Sequence, residues 1–210
     1  MKTILLYTLL FVTLGNADNI DFAPKQKLRE LKKVSGCDRP VYDELKEIRD
    51  TYPDTSSGKF FELRNALPVK YSYIGRVYTC RAGGCGAPNA AMSYEGSEFF
   101  DYFILFDSSA SIVSVQIFNY EATHGHEISV RSWLKQFVGH NAGSELIVGK
   151  NVDAISGATI SVHGITDDIR NKTLVLKKHI GKHSTQSLPG HPLSTQWINN
   201  KGPGRQISAR

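Results

Sequence analysis

The chain has 210 residues, 40% of them hydrophobic, which suits one or two compact units and excludes a fibrous or wholly disordered chain. Its formal net charge of +5 is unevenly placed: residues 172–210 hold seven Lys or Arg and no Asp or Glu, and residues 18–171 carry a net −3. The basic residues of that end are scattered and Trp197 is the only aromatic among them, so no nucleic-acid surface is indicated.

The N-terminus reads as a targeting segment. Lys2 precedes an apolar run from Ile4 to Leu14, and Gly15-Asn16-Ala17 supplies small residues for cleavage. At roughly 11 residues the run suits a signal peptide better than a membrane span. No Cys ends the run, so a lipid anchor is not expected, and the alternative is a buried N-terminal helix. The mature chain is expected to start near Asp18, soluble and periplasmic or secreted.

Residues 26–34 and 40–52 have helical spacing, through Leu28, Leu31 and Val34 and through Val41, Leu45 and Ile48. Pro40 suits an early helical position and Pro53 a stop. Asp54 to Gly58 is a turn cluster. Strand patterns follow at Phe60, at Val69 to Tyr73 and at Val77 to Thr79, then a Gly-rich loop over Arg81 to Ala90. Residues 99–106 and 112–120, joined by Asp107 to Ser111, predict a hairpin. Val130, Trp133, Leu134, Phe137 and Val138 make one helical face that Gly139 ends. A short apolar piece, Leu146 to Val148, precedes the segment Asp153 to Ser161, and Val162, Ile165 and Ile169 predict a helix after it. From about Lys182 the chain is polar and reads as a disordered tail.

Three cysteines leave three arrangements open: Cys80 bridged to Cys85 with Cys37 unpaired, Cys37 paired with one of them, or three free thiols. Their spacing is not that of a zinc site. His124-Gly-His126 with His140 lacks a clear third ligand, so no metal site is assigned. Nucleotide-binding glycine motifs and a hydrolase nucleophile elbow are absent.

The chemistry is expected at Asp153 to Ser161. Ser156, Thr159 and Ser161 offer hydroxyls at a helix start, and Gly157 and Ala158 leave room for a bulky group near the backbone. Unpaired amides and the positive end of the helix dipole favour a phosphate there. The same residues also serve as an ordinary helix cap.

Asp153-Ala-Ile-Ser-Gly-Ala-Thr159 resembles the flavinylation motif of the FMN-binding domain family: Asp, two variable residues, Ser or Thr, Gly, Ala, Thr. That family includes the C and G subunits of sodium-pumping NADH:quinone reductase and Rnf complexes. The resemblance implies FMN bound covalently to Thr159 as a phosphoester, delivered from FAD by a flavin transferase that uses magnesium. It implies that Asp153 belongs to the segment the transferase recognises and that Ser156, Gly157 and Ala158 cradle the phosphate. Tyr120-Glu-Ala-Thr-His-Gly125 is similar to the family's Glu-Thr-Pro-Gly segment, with Ala122 inserted and His124 in place of Pro. Gln136-Phe-Val-Gly139 is similar to its Phe-x-Gly helix end. These matches imply that Glu121 and Thr123 hold the isoalloxazine. The resemblance covers about residues 70–170.

The expected fold is α+β, a twisted and mainly antiparallel sheet flanked by helices, with an N-terminal helical segment and a disordered C-terminal tail. The expected division is 1–17 signal peptide, 18–57 helical segment, 58–180 FMN-binding domain and 181–210 basic tail. The expected role is an extracytoplasmic electron carrier or a flavin-dependent oxidoreductase component. Its partners would be the transferase and a membrane reductase or another flavinylated redox protein, with peripheral membrane contact through the tail. The alternatives are a secreted reductase of a small or terminal acceptor and a non-catalytic binding module.

Overall fold

The computed structural model describes residues 19–52, 58–81 and 97–186. The signal segment, Pro53, most of the Gly-rich loop, the Cys80–Cys85 pairing and residues 187–210 lie outside them. Cys37 is a free, half-buried thiol. Among the described residues no helix is long and apolar enough to cross a membrane.

Five antiparallel strands form one sheet in sequence order: β1 (Tyr42–Glu44), β2 (Gly58–Leu63), β3 (Tyr71–Arg81), β4 (Ser97–Phe106) and β5 (Ile112–Tyr120). The helices are α1 (Lys25–Ser35), α2 (Lys46–Thr51), α3 (Arg131–Leu134) and α4 (Thr159–Gln186). The fold is α+β, as the residue patterns predict.

Both faces of the sheet are covered. Tyr73, Val77, Phe100, Tyr102, Ile104 and Phe106 share one core with Val162, Ile165 and Ile169 of α4. Ile74, Phe103 and Leu105 face the other way, into a second core with Leu31 of α1. This two-sided burial explains why β4 reads as a nearly continuous apolar run rather than an alternating one. Asp107 closes the hairpin by accepting from the amides of Ser109 (2.8 Å) and Ser111 (2.9 Å).

Three sequence expectations are corrected. Residues 40–52 are not one helix: Tyr42–Glu44 is a strand, and only Lys46–Thr51 is helical. Tyr42 turns to the α1 core, whereas Leu45 and Ile48 turn to the α4 core, and Val41 is half exposed. The segment therefore passes round the sheet edge from one face to the other, and the open edge of β2 supplies its backbone partners, as in Leu45 N–H to Phe60 O at 2.8 Å. Pro40 precedes the strand and starts no helix. The helix expected over 130–138 is broken: α3 lies between 3₁₀ turns at His126–Ser129 and Lys135–Phe137. Trp133, Leu134 and Phe137 are buried, but Val130 and Val138 are exposed, so the apolar face is narrower than its spacing suggests. Gly139 ends the segment with φ +85. Finally, α4 continues past Lys182 to Gln186, four residues into the stretch read as tail.

Candidate functional site

The Asp153–Ser161 segment lies where β4 begins and β5 ends. Phe100 and Tyr120 are cross-strand partners there, with rings stacked at 5.6 Å and 2°. Asp153 is held through its backbone on both sides. The Trp133 indole N–H donates to Asp153 O at 2.9 Å, and Asp153 N–H donates to Gln136 Oε1 at 2.7 Å. Its own carboxylate is left exposed. Trp133 thus combines core packing with a hydrogen bond that sets the entry to the motif.

Gly157 has φ +82, and a Cβ there would meet open space, so glycine is needed for backbone conformation rather than for room. Ala158 N–H closes a turn onto Ile155 O at 3.1 Å, and Ala158 O accepts the first bond of α4, from Val162 N–H at 2.9 Å. The amides of Thr159, Ile160 and Ser161 precede that bond and face the open end of the helix. Ser156 and Thr159 are exposed, while Ala158 and Ser161 are buried.

The loop leaving β5 presses against this helix start. A Cβ on Gly125 (φ +86) would sit 2.8 Å from Ser161 Oγ and 3.3 Å from Ala158 Cβ, so only glycine permits the approach. The Tyr120 hydroxyl donates to His124 O at 2.7 Å and lies 3.3 Å from Ser161 Oγ. Burial raises the Tyr120 phenol above its ordinary value, with Glu127 and Glu98 adding to the effect, so it remains a donor. Thr123 donates to the Glu98 carboxylate, and that bond holds Glu98 below the usual carboxylate range. Glu121 is exposed and is fixed by its backbone, N–H to Phe99 O at 2.9 Å.

Of the residues singled out in the sequence, Ala158 and Ser161 therefore meet the Tyr120–Gly125 segment directly. Thr159, Ser156 and Gly157 form the exposed rim, and Asp153 is its anchored start. Thr123 is engaged by Glu98, and Glu121 stands apart on the surface. Tyr120, Gly125 and Glu98 were not singled out for a role. The positive φ and small-residue packing of Gly125 became recognisable only once the loop lay beside α4.

Residues 98–172 match the family model for the FMN-binding domain. The chain carries an FMN-binding domain. The matched stretch covers β4 from its second residue, β5, the Tyr120–Gly125 loop, α3, the motif and the first half of α4. Flavin binding follows for this part of the chain. No curated protein matches the chain significantly. The residues present fit the phosphate end of FMN: three outward amides, exposed hydroxyls on Ser156 and Thr159, and no acidic side chain in the first turn of α4.

His124 and His126 are exposed and His140 is half-buried, and they do not form a ligand group. The described residues place a different set together, Glu47, His179 and His183. Its signal in the sequence is two histidines four apart within a helical stretch, but Glu47 is remote along the chain and gave no hint of the third ligand.

Proposed function

We propose that the protein is an extracytoplasmic electron carrier whose FMN is joined to Thr159 by a phosphoester. The observation that carries the reading is the exposed hydroxyl residue Thr159 at the open N-terminus of α4, at the end of an unbroken Asp-x-x-Ser-Gly-Ala-Thr sequence. Attachment forms a bond between Thr159 Oγ1 and the FMN phosphorus of FAD. The pyrophosphate linkage breaks, AMP leaves and the threonine proton is lost. A flavin transferase with magnesium supplies that step.

Bound there, the flavin supplies reversible acceptance of electrons, and the protein's task is to hold and orient it. The amides of Thr159, Ile160 and Ser161 favour the negative phosphate, and Ser156 adds a donor at the rim. Gly157 sets the turn that points Thr159 outward. Tyr120 and Gly125 fix the helix start from beneath, and Trp133 and Gln136 fix the segment that enters it at Asp153. Glu121 and Thr123, on the adjoining loop, are assigned to the ring side of the site.

Covalency suits an exported protein, because free FMN lost outside the cytoplasm is not replaced. The export reading rests on Lys2, the Ile4–Leu14 run and Gly15-Asn16-Ala17. The donor is then a membrane reductase or another flavinylated protein, with the basic C-terminal stretch offering contact to an acidic membrane surface. Co-expression with a flavin transferase followed by intact mass measurement tests the proposal. A gain of one FMN in the wild-type chain, absent from Thr159→Ala, is expected. An unmodified wild-type chain under conditions that flavinylate a control substrate would refute it.

A further inference from the structure

At the far end of α4, about 30 Å from Thr159 by helix rise, lies a second cluster with its own chemistry. His179 and His183 are one turn apart, with ring centroids 4.4 Å from each other. Glu47, the second residue of α2, reaches the same place from the N-terminal segment. One ligand atom from each of the three lies within 4.8 Å of the others. Tetrahedral binding at about 2.0–2.2 Å would space such atoms about 3.3–3.6 Å apart. The set is thus at most about 1.5 Å wider than a closed site. Glu47 and His183 are exposed and His179 is half-buried, so side-chain rotation closes the gap without disturbing the core.

We propose that Glu47, His179 and His183 bind a divalent transition metal, zinc by the nature of the ligands, and thereby clip α2 to the end of α4. Two imidazoles and one carboxylate suit zinc, whereas calcium and magnesium take oxygen ligands. Helical spacing of four presents both imidazoles on one side, and the carboxylate comes from a separate element, so the ion joins segments 132 residues apart in sequence. A cavity of about 400 Å³ adjoins the three side chains, bounded also by Leu45, Tyr71 and Ile180. It leaves space for a water as fourth ligand. Glu62, also on the cavity wall, is engaged by Lys70 at 2.7 Å and contributes negative charge nearby rather than a ligand. Among the described residues, Glu47 makes no ion pair with a lysine or arginine that would compete for it.

The test uses the untagged chain after treatment with a chelator. Zinc is titrated by calorimetry, and cobalt(II) is titrated with its visible absorption as a report of tetrahedral ligation. One ion per chain is expected, with affinity reduced at least about tenfold in His179→Ala, in His183→Ala and in Glu47→Gln. The double variant His124→Ala/His126→Ala should bind as the wild type does. Zinc at a hundredfold excess over Kd should raise Tm by about 5 °C in the wild type and not in His183→Ala, where the replaced side chain is exposed. Wild-type affinity retained in His179→Ala and His183→Ala, or no binding by the wild type, overturns the proposal. These readouts concern metal alone and stand apart from whether FMN is attached.

Discussion

The two faces of the sheet are built from different materials. The face beneath α4 is mostly apolar but encloses one polar cluster contributed largely by the helix, in which the fully buried Tyr102 donates to Asp168 at 2.6 Å and the buried Lys172 reaches Asp168 at 3.1 Å. The face toward α1 buries charge on the strands themselves. Arg76 and Asp101 form a two-bond ion pair at 2.7 and 3.0 Å, with Asn119 donating to the same carboxylate at 3.0 Å. Lys27 is 1% exposed, its ammonium 4.6 Å from the Tyr42 ring centre and 4.9 Å from that of Phe61. The α4 face thus holds the helix that begins at Thr159 mainly by apolar packing, whereas the α1 face pairs charge between neighbouring strands and buries the Lys27 ammonium without a hydrogen-bond partner. The difference teaches that the helix carrying the motif is held mainly by apolar packing, while the charge buried between strands lies on the opposite layer.

That contrast can be broken at its strongest point. Arg76→Met leaves the Asp101 carboxylate buried with Asn119 as its remaining partner and should cost about 3–5 kcal/mol in denaturant unfolding. Replacing both, as Arg76→Met with Asp101→Leu, should recover most of the loss. A single variant as stable as the wild type would mean that the pair is solvated and the contrast between faces is false.

Lys27 sharpens the comparison from the opposite sign. Desolvation lowers its value to about 8 from an ordinary 10.5, with Asp21 opposing the effect. The folded protein therefore releases this proton before the unfolded chain does. Below pH 8 the cost of burying the charge is fully present, and stability rises between pH 8 and 10.5 by roughly 3 kcal/mol from this group. Lys27→Met should remove that rise and stabilise the protein by about 2–3 kcal/mol at pH 7. An unchanged pH profile of unfolding in the variant would refute the assignment.

On the α4 side the expected effects are smaller and fall on the site. Gly125→Ala forces a positive φ on an L-residue and brings its Cβ against Ser161 Oγ, so a loss of about 1–3 kcal/mol and a lower flavinylation yield are expected. Trp133→Phe keeps an aromatic ring in the core but removes the bond to Asp153 O and part of the buried ring; about 1–3 kcal/mol is the expected loss, with slower flavinylation measured by flavin fluorescence over time. Wild-type flavinylation in both variants would show that the supports beneath Asp153 and Ser161 do not matter to the reaction.

Legibility in the sequence follows the same division. The β4–β5 hairpin could be read because its strands are apolar and its turn carries Asp107, whose side chain organises the turn locally. The start of α4 could be read because Ser-Gly-Ala-Thr precedes a helical period, and Gly157 and Ala158 do their work within one turn of the chain. The strand at Tyr42–Glu44 was hidden, since Val41, Leu45 and Ile48 have helical spacing although the segment crosses a sheet edge. Arg76 and Asp101 were not singled out, because alternation does not reveal that α1 and its flanks cover that side. Gly125 and Tyr120 matter through a partner 36 and 41 residues onward, Ser161, which no local pattern can announce.

The account rests on Thr159, and the most direct measurement places the modification on an atom. Trypsin should release residues 151–170 as one peptide, containing Ser156, Thr159, Ser161 and Thr166 as candidate acceptors. After co-expression with a flavin transferase, fragmentation mass spectrometry should put one FMN on Thr159 and leave the other three hydroxyls unmodified. An adduct on Ser156 or Ser161, or one that persists in Thr159→Ala, would contradict it.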